Sequence, residues 1–172
     1  NMTAISSRIV LPDVSLATIV RDEIMNPAGG IVDFVDSTVP FVEEAVIVDT
    51  GSKDGTRQAL EELQAQYPQL RVLDKSFDDY ASCRNFSLKQ VKTRYVLVLD
   101  ADERIRTKDF GEIAQLLKHK PSEGYNFRFM NRYFDAKDDN ITNGHNPRLF
   151  LRERGCYKNH CINHNELLYT SY

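Results

Sequence analysis

The chain has 172 residues, of which 41% are hydrophobic and 27% are charged, and its formal net charge is −3. These values are ordinary for a soluble globular protein, and we expect residues 1–172 to form a single domain. The small negative charge disfavours a nucleic-acid partner, because nucleic-acid-binding surfaces are strongly basic. No apolar run reaches membrane-spanning length, residues 1–15 contain no secretory leader, and the three cysteines cannot all pair. Together these features predict a cytoplasmic protein.

The first half of the chain alternates between strand and helix patterns. Short apolar runs predict strands at 15–20, 44–49 and 70–73, and apolar residues at helical spacing predict helices at about 31–38 and 59–67. A third helix is expected to begin at an Asp78 or Asp79 cap. Strands and helices alternating at this pitch predict an α/β fold with a largely parallel central sheet.

The second half begins with an unbroken apolar strand at 95–99. A helix capped by Thr107 follows and is expected to end at Pro121. The remaining sequence predicts a strand at 125–130, a polar loop over 132–146 and a strand at 148–152.

The strand at 95–99 runs directly into Asp100, Asp102 and Glu103. An apolar run of this kind is typical of a strand buried on both faces, and ligands of parallel sheets bind beyond the carboxyl ends of the strands. If the chain stays extended, Asp100 and Asp102 lie on one side and repel each other. A divalent cation that carries phosphates would relieve that repulsion. The alternative is that these carboxylates only favour the N-terminus of the next helix.

Two earlier strands also end in polar residues. Arg21, Asp22 and Glu23 follow the first strand, and Asp49 ends the second and opens a glycine-punctuated loop at 50–56. In a parallel sheet these residues share one edge with Asp100 and Asp102. The loop could instead be a turn with a Ser or Asp helix cap. It matches neither the P-loop nor the Gly-x-Gly-x-x-Gly pattern, which disfavours nucleoside-triphosphatase and classical NAD functions.

Several motifs in this order and spacing resemble the family-2 glycosyltransferases of the GT-A fold. They are the segment 48–56, Arg84-Asn85, the Asp-x-Asp (DXD) segment 99–103, Ile19 to Glu23, Arg148-Leu149-Phe150, and His164-x-Glu166. The resemblance implies an α/β, Rossmann-like three-layer sandwich with a mostly parallel sheet. It also implies a donor-binding half at 14–104 and an acceptor-side half at 105–172. Two features depart from the family pattern. Asn165 separates the late His and Glu, and the C-terminal helical segment that often completes the acceptor site is missing, so a truncated acceptor side stays open.

The resemblance assigns roles residue by residue. The residues that would bind the nucleotide-sugar are Thr18, Val20, Arg21, Glu23, Asp49, Gly51, Ser52, Arg84, Asp100 and Ala101. Within this set Asp49 would contact the base and Arg84 the ribose or phosphates. The ligands of a Mn²⁺ or Mg²⁺ ion would be Asp102, Asp100 and His164. Glu166 would be the catalytic base, with Asp135, Asp138 and Asp139 as competitors for that role.

The function that this layout implies is metal-dependent transfer of a sugar, with inversion, from a UDP-sugar to a hydroxyl of a glycan, lipid or protein acceptor. Peripheral membrane association, a partner protein and the oligomeric state stay open. The alternatives are a nucleotidyltransferase, a phosphoacceptor domain, and a truncated transferase that binds nucleotide without turnover. A zinc site at Cys156, His160, Cys161 and His164 is disfavoured by its spacing.

Overall fold

The computed structural model describes residues 9–131, 140–143, 147–154, 156–158 and 166–168, with side chains at 9–127 and 147–154. The strands are β1 Leu11–Val20, β2 Val42–Asp49, β3 Leu70–Asp74, β4 Tyr95–Val98, β5 Gly124–Tyr125, β6 Arg128–Asn131, β7 Asn140–Asn143, β8 Leu149–Leu151, β9 Cys156–Lys158 and β10 Glu166–Leu168. The helices are α1 Ile31–Thr38, α2 Thr56–Gln66, α3 Tyr80–Gln90 and α4 Thr107–His119, with short 3₁₀ turns at Val39–Phe41 and Arg152–Arg154.

Six of the strands form one central sheet in the order β3-β2-β1-β4-β8-β5. Neighbours among β3, β2, β1 and β4 are parallel, whereas β8 runs antiparallel to both β4 and β5. The prediction of an α/β fold with a mostly parallel sheet is therefore confirmed. The parallel register places Val20 of β1 opposite Asp49 of β2, so the loops after these two strands leave the sheet side by side.

Helices cover both faces of the sheet, which confirms the three-layer arrangement. On one face, Phe34 of α1, Leu60 of α2 and Phe110 of α4 are fully buried in the larger apolar cluster. On the other face, Ala81 and Leu88 of α3 pack in a second cluster. The alternating side chains of β1 and β2 contribute to both clusters, as expected for strands buried on two sides.

Three local predictions need correction. Thr107 is the first residue of α4 and not its cap, because Arg106 keeps an extended backbone and its carbonyl accepts the first helical hydrogen bond, from Asp109 N at 2.8 Å. The single strand predicted at 125–130 is divided between β5 in the central sheet and β6, which pairs with β7. Consequently β7 occupies part of the segment predicted as a loop. The Asp79 cap of α3 is confirmed by its hydrogen bond from Ser82 N at 2.7 Å.

Two small hairpins lie outside the central sheet. One is formed by β6 and β7, and the other by β9 and β10, in which Glu166 is opposite Lys158. The strand β9 lies against α3. Within the described part of the chain, every helix is too short or too polar to span a bilayer.

Candidate active site

The loops that follow β1 and β2 are bound to each other by short hydrogen bonds. Both the backbone N and the Oγ1 of Thr50 donate to the Val20 carbonyl at 3.0 Å. Asp22 has φ +54°, and its backbone N donates to Ser52 Oγ at 2.9 Å. Lys53 N donates in return to Asp22 Oδ1 at 2.7 Å. The left-handed backbone of Asp22, which Asp tolerates better than most residues, therefore closes a reciprocal clip between the loops.

Asp54 extends this connection to the start of α2. Its carboxylate accepts hydrogen bonds from Thr56 N at 3.0 Å and from Ile24 N at 3.1 Å. Burial would raise the pKa of Asp54, but the hydrogen bonds from Thr56 and Ile24 outweigh it and lower the pKa. Thr56 Oγ1 accepts from Glu23 N at 2.8 Å. The N-cap of α2 is Gly55, which makes no side-chain cap hydrogen bond, so the Ser or Asp cap considered for this loop is not formed. Asp54, one residue before the cap, instead joins the start of α2 to the loop after β1.

Asp49 is almost fully buried at the end of β2, with 3% of its surface exposed. Its Oδ1 accepts hydrogen bonds from Gly51 N at 2.9 Å and Ser52 N at 2.8 Å. Gly51 has φ +112°, a conformation that favours glycine, and this lets the loop fold back onto the carboxylate. Asp49 Oδ2 is buried and has no hydrogen-bond partner among the described residues. One oxygen therefore shapes the loop, while the other has no hydrogen-bond partner among the described residues.

The acidic segment after β4 forms a tight turn. β4 ends at Val98, and Glu103 N donates to the Asp100 carbonyl at 2.9 Å. Ala101 is 2% exposed, whereas Asp100 and Asp102 are half-buried. The backbone is therefore a turn and not an extended strand at this point, but it still leaves Asp100 and Asp102 more open to solvent than the Ala101 between them.

Arg84 belongs to α3, which covers the face of the sheet opposite to α1, α2 and α4, and its side chain reaches this turn. Its Nη2 forms an ion pair with Asp100 Oδ1, and the side chains are 11% and 45% exposed respectively. Burial would raise the pKa of Asp100, but the charges of Arg84 and Arg148 and the hydrogen bond from Arg84 outweigh it and lower the pKa. Asp100 is therefore a charged carboxylate that remains open to solvent on one side.

Glu103 is held by a second arginine. Arg148 Nη1 and Nη2 donate to its two carboxylate oxygens at 2.7 and 2.9 Å. Glu103 Oε1 also accepts from Asp100 N at 2.8 Å. Burial and the neighbouring charge of Asp100 raise the pKa of Glu103 despite the attraction of Arg148. Two arginines, Arg84 and Arg148, therefore pair with the two neighbouring carboxylates, Asp100 and Glu103, and hold the turn from either side.

Glu23 is the third carboxylate beside Asp100 and Asp102. Burial raises its pKa, and the charges of Asp102, Asp100 and Asp54 raise it further against one lowering hydrogen bond from Asn26. Asn26 Nδ2 donates to Glu23 Oε2 at 3.0 Å and to the Ala101 carbonyl at 3.1 Å. The sequence predictions did not include Asn26. The signal that the sequence offered was its place three residues after Glu23, in the loop that follows β1.

The predicted site residues differ in their exposure to solvent. Thr18, Val20, Asp49 and Ala101 are buried, Glu23, Ser52, Arg84, Asp100 and Asp102 are half-buried, and Arg21 and Gly51 are exposed. The hydroxyl of Thr18 has no hydrogen-bond partner among the described residues. Glu166 is described only as the first residue of β10, while His164, Asp135, Asp138 and Asp139 lie outside the described residues. Of the disfavoured zinc ligands, Cys156 is described only as part of β9, and His160 and Cys161 are not described.

The donor set at the acidic turn fits a hard divalent cation. Glu23, Asp100 and Asp102 offer only oxygen ligands, and burial, together with the negative charges of Asp102 and Asp100, raises the pKa of Glu23. In the described part of the chain, no three His, Cys, Asp or Glu side chains are grouped closely enough to hold a metal alone. Mg²⁺ and similar ions commonly use one or two carboxylates and complete their shell with phosphate oxygens and water. The residues therefore fit a cation that arrives with a diphosphate.

Sequence comparisons identify the family to which the chain is similar. The profile of glycosyl transferase family 2 matches residues 31–167. The lipopolysaccharide core biosynthesis glycosyltransferase LpsC of Rhizobium meliloti is 30% identical over 119 residues, which are 66% of this chain and 43% of that protein. The chain thus spans less than half the length of this relative.

Solved structures share the fold at low sequence identity. Residues 1–349 of Staphylococcus aureus TarS, in complex with UDP, superimpose with a TM-score of 0.54 and 23% identity over 64% of this chain and 33% of that chain. A mannosyltransferase from Pyrobaculum calidifontis, in complex with GDP-Man and Mn²⁺, gives a TM-score of 0.54 and 22% identity over 66% of this chain and 34% of that protein. Because the family profile covers most of the sequence, the chain belongs to glycosyl transferase family 2.

Proposed function

We propose that this chain binds a nucleotide-diphospho-sugar, in particular a UDP-sugar, and transfers the sugar to an acceptor hydroxyl with inversion. The observation that carries the proposal is the convergence of two features at one sheet edge. One is Asp49, with a buried carboxylate oxygen that has no hydrogen-bond partner in the part of the chain that the structure describes. The other is the set of three interacting carboxylates on Glu23, Asp100 and Asp102. A nucleotide needs a hydrogen-bond acceptor for its base and a cation site for its diphosphate, and these features match both needs.

The loops after β1 and β2 would form the nucleotide pocket. Asp49 Oδ2 would accept a hydrogen bond from an N–H of the base, as uracil provides. Gly51 and Ser52 would let the backbone approach the base closely. Ser52 is held in place by its hydrogen bonds with Asp22 and Asp49. Val20 and Thr18 would back the pocket, and Arg21 and Glu23 would border it. Binding of UDP by TarS supports this choice of nucleotide, although GDP-Man in the Pyrobaculum enzyme keeps a guanine nucleotide as the rival.

The diphosphate would lie over the acidic turn. Asp102 and Asp100, with His164, would hold Mn²⁺ or Mg²⁺, which stabilises negative charge on a departing diphosphate as a Lewis acid. Arg84 is already bound to Asp100, so its guanidinium lies where the ribose or phosphates would approach. Asp100 would also orient the ribose, and Ala101 would line the same wall.

In the transfer step, the acceptor oxygen would bond to the anomeric carbon while the bond from that carbon to the diphosphate oxygen breaks. The electron pair of the broken bond leaves with the diphosphate. The acceptor proton would pass to a carboxylate on the opposite side of the sugar, a requirement of inversion. We assign this base to Glu166 of β10, in preference to Asp135, Asp138 and Asp139. Support comes from the hairpin of β10, since its other strand, β9, lies against the helix that carries Arg84.

This assignment divides the chain by role. Residues 14–104 would bind the donor, because β1, β2 and the turn after β4 supply the contacts described above. Residues 105–172 would face the acceptor, which we expect to be a glycan, a lipid or a protein.

The proposal is tested by a melting screen of nucleoside diphosphates with and without Mn²⁺. UDP should raise the melting temperature clearly in the presence of Mn²⁺ and weakly in the presence of a chelator. A saturating ligand at about 100 times its Kd adds about 2.7 kcal/mol to the free energy of unfolding. GDP, ADP and CDP serve as matched controls for the base. Stabilisation by none of these nucleotides would contradict the proposed function.

A further inference from the structure

Arg104, directly after the acidic turn, uses every N–H donor of its guanidinium. Arginine has five such donors, one on Nε and two on each terminal nitrogen. The five contacts are Nε to Asp33 Oδ2 at 2.9 Å, Nη1 to the carbonyls of Ala101 at 2.6 Å and Glu103 at 2.9 Å, and Nη2 to the carbonyls of Ala28 at 3.1 Å and Gly30 at 3.2 Å. The guanidinium also lies over the ring of buried Phe34, 5.4 Å from its centroid.

The four carbonyls belong to two different segments of the site. Two of them, on Ala101 and Glu103, flank Asp102 on either side. The other two belong to the turn that enters α1, which follows the loop carrying Glu23. Arg104 therefore fixes the backbone on both sides of Asp102 against the loop after β1. Its charged partner Asp33 has a 58% exposed side chain, and an ion pair this open to water contributes little.

The receiving side of this contact is rigid. Gly30 has φ +94°, and an added Cβ would lie 2.4 Å from the Ile24 carbonyl oxygen. Any side chain at position 30 would therefore force the turn to move. Asn26 reinforces it, because its Oδ1 accepts from the backbone N of Ala28 at 2.9 Å and of Gly30 at 3.0 Å. Its Nδ2 donates to the same Ala101 carbonyl that Arg104 binds. The acidic turn is thus tied to a part of the structure that has little freedom to shift.

We propose that Arg104 is a positioning residue that sets where the Asp102 carboxylate stands relative to Glu23, and thereby the affinity of the site for a cation–diphosphate pair. The inference rests on the proposed function for its ligand. The clamp, by which we mean the hydrogen bonds from Arg104 to the four carbonyls of Ala28, Gly30, Ala101 and Glu103, is a property of the free protein. Lysine is a poor substitute, because a single ammonium cannot satisfy four carbonyls on two segments.

The test compares Arg104→Gln and Arg104→Lys with a matched control, Arg71→Gln. Arg71 also joins a backbone carbonyl, that of Gln90, and a carboxylate, that of Glu44, but it does so away from the carboxyl edge that carries the acidic turn. Two quantities are measured for each protein. Hydrogen exchange of the free protein reports the order of segments 22–31 and 99–105. Calorimetry of UDP with Mn²⁺ and with chelator reports the part of the nucleotide affinity that depends on the metal.

Arg104→Gln should speed exchange in both segments together, by about tenfold or more, while Arg71→Gln should leave both at parent rates. It should weaken Mn²⁺-dependent UDP binding by about 10- to 100-fold, the usual effect of losing an outer-shell partner, without changing UDP binding in chelator. Arg104→Lys should be intermediate. Parent-like exchange in Arg104→Gln would overturn the clamp. Faster exchange with the metal-dependent affinity intact would overturn the positioning role. A parent protein whose UDP binding ignores Mn²⁺ would refute the metal part of the proposed function, and exchange would still decide the clamp.

Discussion

Arg148 and Glu103 form an ion pair with two hydrogen bonds, at 2.7 and 2.9 Å, that joins the residue before β8 to the acidic turn after β4. The side chains are 25% and 14% exposed, so water screens the pair only in part. Glu103 in turn holds Asp100 N at 2.8 Å. The antiparallel edge of the sheet therefore contributes directly to the position of the residues that follow its parallel half.

The first prediction concerns the energy of this pair. Arg148→Met should lower the free energy of unfolding by about 3 kcal/mol, because it leaves the Glu103 carboxylate buried without its cation. Adding Glu103→Gln to Arg148→Met should recover part of that loss, since the uncompensated charge is then removed. Urea unfolding of the parent, the two single variants and the double variant measures both values. If each single substitution lowers the free energy of unfolding only slightly and the two losses add in the double variant, the pair is not coupled.

Asp49→Asn provides a sharper test of the nucleotide pocket than truncation to Ala. The amide oxygen can still accept from Gly51 N and Ser52 N, so the loop should keep its shape, whereas an NH₂ group replaces the buried Oδ2. We expect UDP affinity to fall by the equivalent of about 1.5–3 kcal/mol while the dependence on Mn²⁺ persists. Calorimetric titration measures the change. Parent-like UDP affinity in Asp49→Asn would exclude this oxygen from base recognition.

Glu166→Gln should separate donor binding from transfer. Glutamine keeps the size and hydrogen-bonding capacity of glutamate but cannot accept a proton at neutral pH. Transfer to an acceptor should slow by about 10²- to 10⁴-fold, with nucleotide affinity unchanged. Asp135→Asn, Asp138→Asn and Asp139→Asn are the matched variants. If one of them loses transfer and Glu166→Gln does not, that aspartate is the base.

A pH-dependent prediction comes from Tyr67, whose hydroxyl donates to Asp36 Oδ1 at 2.6 Å and joins the end of α2 to α1. Burial and this hydrogen bond raise the pKa of Tyr67 from 10.0 to about 12. A raised pKa means that the folded state favours the neutral phenol. Its contribution is therefore complete below the unfolded-state pKa and disappears as the pH rises to about 12.

Unfolding free energies of the parent and Tyr67→Phe check this. At neutral pH the difference should be about 1 kcal/mol in favour of the parent, and it should shrink only in the alkaline window between the two pKa values. A difference that already fades in the neutral range would contradict the assigned cause.

The sequence predicted the elements that depend on local periodicity. The helix Ile31–Thr38 has the predicted bounds, because its apolar spacing and the glycine before it and proline after it are local signals. The division between β5 and β6 was not predictable, since both segments share one alternating pattern while their partners lie in different sheets. The sheet edge at Asp49 and Asp100 was predictable, because polar residues follow buried strands.

The hydrogen bonds that connect the loops of the candidate site were not predictable, because they join residues far apart in the chain. Asp22 and Ser52 are 30 positions apart, and Arg104 and Ala28 are 76 apart. Most acceptors of Arg104 are backbone carbonyls, which leave no trace in residue identity. Only the fold, by placing the loops side by side, determines these partners.

The most direct test of the central claim is the melting temperature of the parent and of Asp102→Asn, measured side by side with UDP and Mn²⁺ and with UDP and chelator. Asn has nearly the same volume, and the half-buried Asp102 lies beside Glu23 and Asp100, so the metal-free variant should melt at or slightly above the parent temperature. The Mn²⁺-dependent shift by UDP should vanish, because a neutral amide is a poor ligand for a hard dication. If Asp102→Asn retains the full Mn²⁺-dependent shift, Asp102 does not hold the metal and the proposed donor site is contradicted.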